Sequence, residues 1–189
     1  MGKKKELIDK KIILLGDTAT GKTTLLKNIK NGSNYITEQL MSNKFELRAK
    51  NQKSKTYTRI TLWDGIVSGY KTDYRPIAYK NTDLIILFYS IDSFNTYNGI
   101  KSRWIPEIKT FANDVPLILI GNKSDKRDRD DCQKTVSTED GAQLAKEIKA
   151  KGFLECCSFE ENCLHELVQT LLDNFTLKNS QKTKECTIM

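Results

Sequence analysis

Eight residues, Gly16-Asp17-Thr18-Ala19-Thr20-Gly21-Lys22-Thr23, have the types and spacing to hold a polyphosphate. The glycines permit backbone dihedrals and a close approach that a Cβ would block. Backbone N–H groups of the loop and of the helix start that follows converge on one spot and carry partial positive charge. Lys22 supplies a cation for the β- and γ-phosphates, and the Thr23 hydroxyl can ligate Mg²⁺. The expected phosphate contacts are Asp17, Thr18, Ala19, Thr20, Gly21, Lys22, Thr23 and Thr24. Such a loop needs a buried strand before it and a helix after it. Lys11-Ile12-Ile13-Leu14-Leu15 is a short apolar run that ends at the first glycine, and Thr24 to Ile29 has helical spacing of apolar residues.

A phosphate loop does not choose a base. Asn122-Lys123-Ser124-Asp125 follows a second apolar run and a glycine. A carboxylate at Asp125 can accept hydrogen bonds from both N1–H and the 2-amino group of guanine. Adenine offers no such pair, so the wrong base would leave the carboxylate unmatched. Asn122 and the Lys123 stem would hold this loop and cover the base. Taken alone, N-K-x-D is a polar turn; at a strand end after a phosphate loop it points to guanine.

The elements that must carry these loops are legible in the pattern. Phe45, Leu47 and Ala49 alternate with charged residues, as in a strand with one wet face, and Tyr57 to Trp63 returns as the second strand of a hairpin. Leu84 to Tyr89 and Leu117 to Ile120 are continuous apolar runs, the signature of strands buried on both faces. Phe153 to Cys156 is a last short strand. Helical spacing appears around Arg75 to Tyr79, from Ile100 to Phe111, from Ala142 to Ile148 with Ser137 or Thr138 as cap, and from Leu164 to Phe175. Asn31 to Asn43 is polar without clean periodicity and reads as a loop. The expected fold is a doubly wound α/β domain: a mostly parallel six-stranded sheet with helices on both faces.

Its 189 residues suffice for one domain, and 38% hydrophobic with 29% charged residues fits a soluble globular class. The net charge of +7 is concentrated in lysines near both ends. The expected boundaries are a basic extension over 1–9, the nucleotide-binding domain over 10–177, and a polar tail over 178–189. The five cysteines fit no zinc spacing, and free thiols in a reducing compartment are the expectation. No apolar run reads as a signal peptide or approaches membrane-spanning length. Nucleic acid is not an expected partner.

The chain resembles the Ras-like small GTPases, and within them the Rho branch. Gly16-Asp17, Trp63-Asp64, Arg75-Pro76 with Tyr79, Trp104-Ile105-Pro106-Glu107-Ile108 and Ala145-Lys146-Glu147-Ile148 carry the resemblance. It implies GTP or GDP as the bound nucleotide, with Mg²⁺ held by Thr23, by Asp64 through water, and by a first-switch threonine. Thr37 is favoured for that threonine, and Ser42 is the alternative. It implies that the Ser158 backbone N–H meets guanine O6, that Phe159 lies beside the base, and that Val67 offers its N–H to the γ-phosphate. Effector proteins and exchange factors would be the partners, with the chain acting as a monomer.

Departures from the family pattern bear on hydrolysis. Ser68 stands at the usual position of the glutamine that orients the attacking water, so no catalytic residue is secure. Thr18 replaces a glycine and crowds the place of an inserted arginine finger. The pair resembles the Rnd proteins, which hold GTP and hydrolyse it poorly. The segment after Asp125 reads shorter than the Rho insert. The tail Cys186-Thr187-Ile188-Met189 looks like the family's prenylation box, with farnesyl expected on Cys186. Attachment to the cytoplasmic face of a membrane, most simply the plasma membrane, follows from that. Two alternatives stay open: a conventional cycling GTPase, and, disfavoured by Asp125, a P-loop ATPase or small kinase.

Overall fold

The computed structural model describes residues 7–29, 35–41, 44–50, 57–64, 75–127 and 135–176. Three parallel strands form its centre. β1 (Leu7–Gly16) pairs with β4 (Tyr57–Asp64) on one side and β5 (Leu84–Ser90) on the other. β5 pairs in turn with β6 (Leu117–Asn122), and β6 with β7 (Gly152–Cys156), all parallel. Every position of β5 and β6 is buried, as continuous apolar runs require. β3 (Lys44–Lys50) returns antiparallel on β4, whose burial alternates strictly. With β2 (Tyr35–Met41) at the edge, the order is β2-β3-β4-β1-β5-β6-β7.

The doubly wound, mostly parallel architecture is as expected; the strand number is not. The sheet has seven strands rather than six. The additional one, β2 (Tyr35–Met41), lies within the stretch read as a loop and pairs antiparallel with β3, Thr37 standing opposite Leu47. Alternation is what a strand shows when one face is buried. An edge strand needs only backbone pairing, and Tyr35-Ile36-Thr37 are residue types that suit it. The pairing is irregular between Gln39 and Met41, which further blurs the pattern. β1 also begins at Leu7, inside the segment assigned to the basic extension.

Alternate β1 residues enter opposite cores. Ile12 and Leu14 pack with Leu25, Leu26 and Ile29 around α1 (Lys22–Asn28) and with Leu167, Val168 and Leu171 of α6 (Glu161–Thr176). Ile13 and Leu15 face the other layer. There lie α2 (Arg75–Tyr79), α4 (Ile105–Phe111) and α5 (Thr138–Glu147). Each such Leu or Ile contributes on the order of 1.5–3 kcal/mol. α3 (Phe94–Gly99) runs into α4 through a π turn, Ile100–Trp104. Ser137 caps α5 by accepting from the Asp140 N–H at 3.0 Å, which settles the choice between the two cap candidates. Cys157 is a free, buried thiol, whereas Cys156 is disulfide-bonded, so the expectation of free thiols fails there.

Candidate functional site

Parallel strands deliver their following residues to one edge, and here the carboxyl ends of β1, β4, β5, β6 and β7 stand side by side. Gly16 pairs with Phe88, Asp64 with Leu14, and Asn122 with both Ser90 and Cys156. The strand order reverses beside β1, the place where open α/β sheets hold ligands.

The loop after β1 closes on Lys22. Its buried ammonium donates to the Gly16 carbonyl at 2.9 Å, the Asp17 carbonyl at 2.7 Å and Thr20 Oγ1 at 3.2 Å. Burial pulls the Lys22 ammonium below the ordinary lysine range, and the carboxylates of Asp64 and Asp17 oppose this. Thr20 is fully buried and bridges the loop by donating to the Asp17 carbonyl at 2.9 Å. Gly21 sits at φ +89°, and a Cβ there would lie 2.2 Å from Asn122 Nδ2, so only glycine fits. Thr18, Ala19, Thr23 and Thr24 are exposed on the open side of the loop, with Ala19 in the left-handed region at φ 62°.

Thr23 donates its hydroxyl hydrogen to Asp64 Oδ2. Asp64 Oδ1 is buried and has no hydrogen-bond partner among the described residues. An unmatched carboxylate oxygen beside a threonine hydroxyl is a hard-oxygen donor pair suited to Mg²⁺, which takes few protein ligands and completes its shell with water and phosphate. The two residues therefore fit the metal that the sequence implies.

The base loop is tied directly to the phosphate loop. Asn122, fully buried, donates from Nδ2 to the Thr20 carbonyl at 2.8 Å and accepts from Ser158 Oγ at 3.0 Å. Lys123 adopts φ 66°, and its ammonium lies 3.4 Å from both Asp92 carboxylate oxygens. Asp125 is half-buried in the short 3₁₀ turn Ser124–Lys126. Burial pushes the Cys157 thiol up; the Phe159 backbone opposes this, and the hydrogen bond and charge of Asp125 push it further up. Phe159 is 79% exposed on the rim.

The structure thus brings together Asp17 to Thr24, Asp64, Asn122, Lys123, Asp125, Ser158 and Phe159. Thr37 is placed on the edge strand β2, paired with Leu47. Ser42, Val67, Ser68 and Cys186 lie outside the described residues, as do the hairpin turn, most of the insert after Asp125 and the tail. Sequence reasoning missed Asn28, whose Nδ2 donates to the Ser158 carbonyl at 2.7 Å. An asparagine at a helix end carries no motif. It also missed Arg103 and Trp104, both of which donate to Asp17. Trp104 reads from spacing as packing alone, which its burial satisfies, yet its indole N–H has this second task.

Residues 11–177 match the family model described as Ras family. The chain is 34% identical over 167 residues to the Rho-related protein racN of Dictyostelium discoideum, covering 85% of this chain and 73% of that protein. It is 30% identical over 176 residues to the Rho-related protein racI of the same organism, covering 86% of this chain and 84% of that protein. A phosphate loop hydrogen-bonded to an N-K-x-D loop at the carboxyl edge of the sheet is consistent with both matches, and the chain belongs to the Ras family as a Rho-related small GTPase.

Proposed function

We propose that this Rho-related signalling switch holds GTP for long periods, hydrolyses it slowly, and works from a membrane surface. The carrying observation is Thr18. It is exposed in a loop otherwise fixed by Lys22, Thr20 and Asn122, at the position where the family has glycine. A side chain there obstructs an arginine inserted from outside, whose contribution in this chemistry is on the order of 10³- to 10⁵-fold. Ser68, at the glutamine position, lacks the amide that would orient water.

In this reading Lys22 and the loop N–H groups bind the phosphates. Thr23, Asp64 and Thr37 would hold Mg²⁺, which would neutralise phosphate charge when bound. The Val67 N–H meets the γ-phosphate, and Asp125, Lys123, Asn122, Ser158 and Phe159 hold the guanine. The switch loops order around the γ-phosphate and present a surface to effectors. Farnesylated Cys186 with the basic tail supplies reversible attachment to the cytoplasmic face of a membrane, and cytoskeletal or polarity signalling is the pathway class. The test is the nucleotide that co-purifies from cells, separated by ion exchange after denaturation. A majority of GTP is expected; GDP alone would overturn slow hydrolysis while leaving guanine-nucleotide binding intact.

A further inference from the structure

Asp17 puts a negative charge into a loop whose ligand is a polyanion. Its side chain is only 13% exposed, so solvent does little to screen it. The Lys22 ammonium feels this charge, and two donors from one helical segment bond the carboxylate directly. Arg103 Nη1 donates to Asp17 Oδ1 at 2.6 Å, and Trp104 Nε1 donates to the same oxygen at 2.9 Å. The other carboxylate oxygen rests against Gly99, where an added Cβ would come within 3.0 Å of Oδ2. A bare Cα and two donors thus receive one carboxylate.

The helix is irregular at this place. Ile100–Trp104 is the π turn between α3 and α4. From this turn both Arg103 and Trp104 reach Asp17. Ile100 and Trp104 are buried, which anchors the turn in the core, while the Arg103 side chain is 61% exposed.

We propose that Arg103 and Trp104 are positioning residues for the nucleotide. They latch Asp17, Arg103 neutralising its charge and Trp104 fixing its orientation, so that the loop accepts a polyphosphate. The proposal rests on the guanine-nucleotide reading above. Because the uncompensated charge of Asp17 would repel in proportion to ligand charge, Arg103 should matter more for GTP than for GDP.

The test is the release rate of fluorescent GDP and of a fluorescent non-hydrolysable GTP analogue from the full chain, with melting temperature as the control for folding. Arg103→Gln should speed release of the triphosphate roughly tenfold, the scale of one charge-assisted hydrogen bond, and that of the diphosphate less. Arg103→Lys, which keeps the charge, should restore the ratio between the two nucleotides. Trp104→Phe should speed both equally, by about two- to fivefold, the scale of a neutral hydrogen bond. Asp17→Asn/Arg103→Gln should release at the rate of Asp17→Asn alone, because no charge remains to neutralise. Unchanged release from Arg103→Gln, equal acceleration of both nucleotides by Arg103→Gln, or the same acceleration by it in the Asp17→Asn background would each overturn the latch. Failure of the unmodified chain to bind either nucleotide would instead overturn the reading beneath it, and the latch with it.

Discussion

At the scale of single residues, the proposed guanine specificity rests on acceptor chemistry, and the shape of the site on the hydrogen bonds of Asn122. The Asp125 carboxylate only accepts, so it matches the two donors on guanine's edge. Asp125→Asn replaces one acceptor by a donor and should lower GTP affinity on the order of 100-fold while improving binding of the xanthine nucleotide, which carries a carbonyl at C2. Competition binding with GTP, XTP and ATP checks this, and an unchanged preference for guanine would remove Asp125 from the base site. Asn122 acts through geometry, its side chain tying Thr20 of the phosphate loop to Ser158 after β7. Asn122→Ala leaves the Thr20 carbonyl and the Ser158 hydroxyl unmatched in a buried place. It should cost about 2–6 kcal/mol in urea unfolding, the sum of two such losses. These residues were legible because N-K-x-D and the phosphate loop are patterns with a fixed mechanism. Asn28, Arg103 and Trp104 were not, because their roles depend on which surfaces the fold brings together rather than on neighbours in the chain.

At the scale of elements, the turn that carries Asp125 is moored to β7. Arg127 donates from both Nη1 and Nη2 to the two Glu155 oxygens at 2.7 Å, and Thr138 Oγ1 donates to Glu155 at 2.8 Å. Burial alone would raise the Glu155 carboxyl, but the hydrogen bonds from Arg127 and Thr138 and the charge of Arg127 outweigh it and hold the group below the ordinary 4.5. A carboxylate with a depressed folded-state value stabilises fully above pH 4.5 and loses that contribution as pH falls through the lower value. Urea midpoints taken from neutral pH into the acid range should therefore fall for the native chain, and fall less for Glu155→Gln. Ser137→Ala removes the α5 cap and should cost about 1 kcal/mol, read as a lower melting temperature. β5 and β6 were legible because a strand buried on both faces must be apolar throughout. β2 was not, because an edge strand is set by its partner's backbone. The π turn was equally hidden, since Ile100, Trp104 and Ile108 are all buried and look like ordinary helical spacing.

At the scale of the whole molecule, two cores pack against the two faces of the sheet, so one frame aligns at its carboxyl edge loops distant in sequence. The doubly wound fold was readable from alternating strands and helices, because each buried strand announces its own layer. The proposed membrane attachment belongs to this scale as well. A single myristoyl-sized lipid chain binds only marginally, with an association constant of roughly 10⁴ M⁻¹, and each basic residue near an anionic surface adds about 1 kcal/mol. Flotation with anionic vesicles should recover the farnesylated chain, release it at high salt, and fail for Cys186→Ser. The central claim, that the phosphate loop clamps GTP rather than turning it over, is tested most directly by single-turnover release of γ-phosphate. The native chain should release it far more slowly than a Thr18→Gly/Ser68→Gln chain, with no acceleration by a Rho-family activating protein. Rapid release from the native chain, or strong stimulation by the activating protein, would contradict the account.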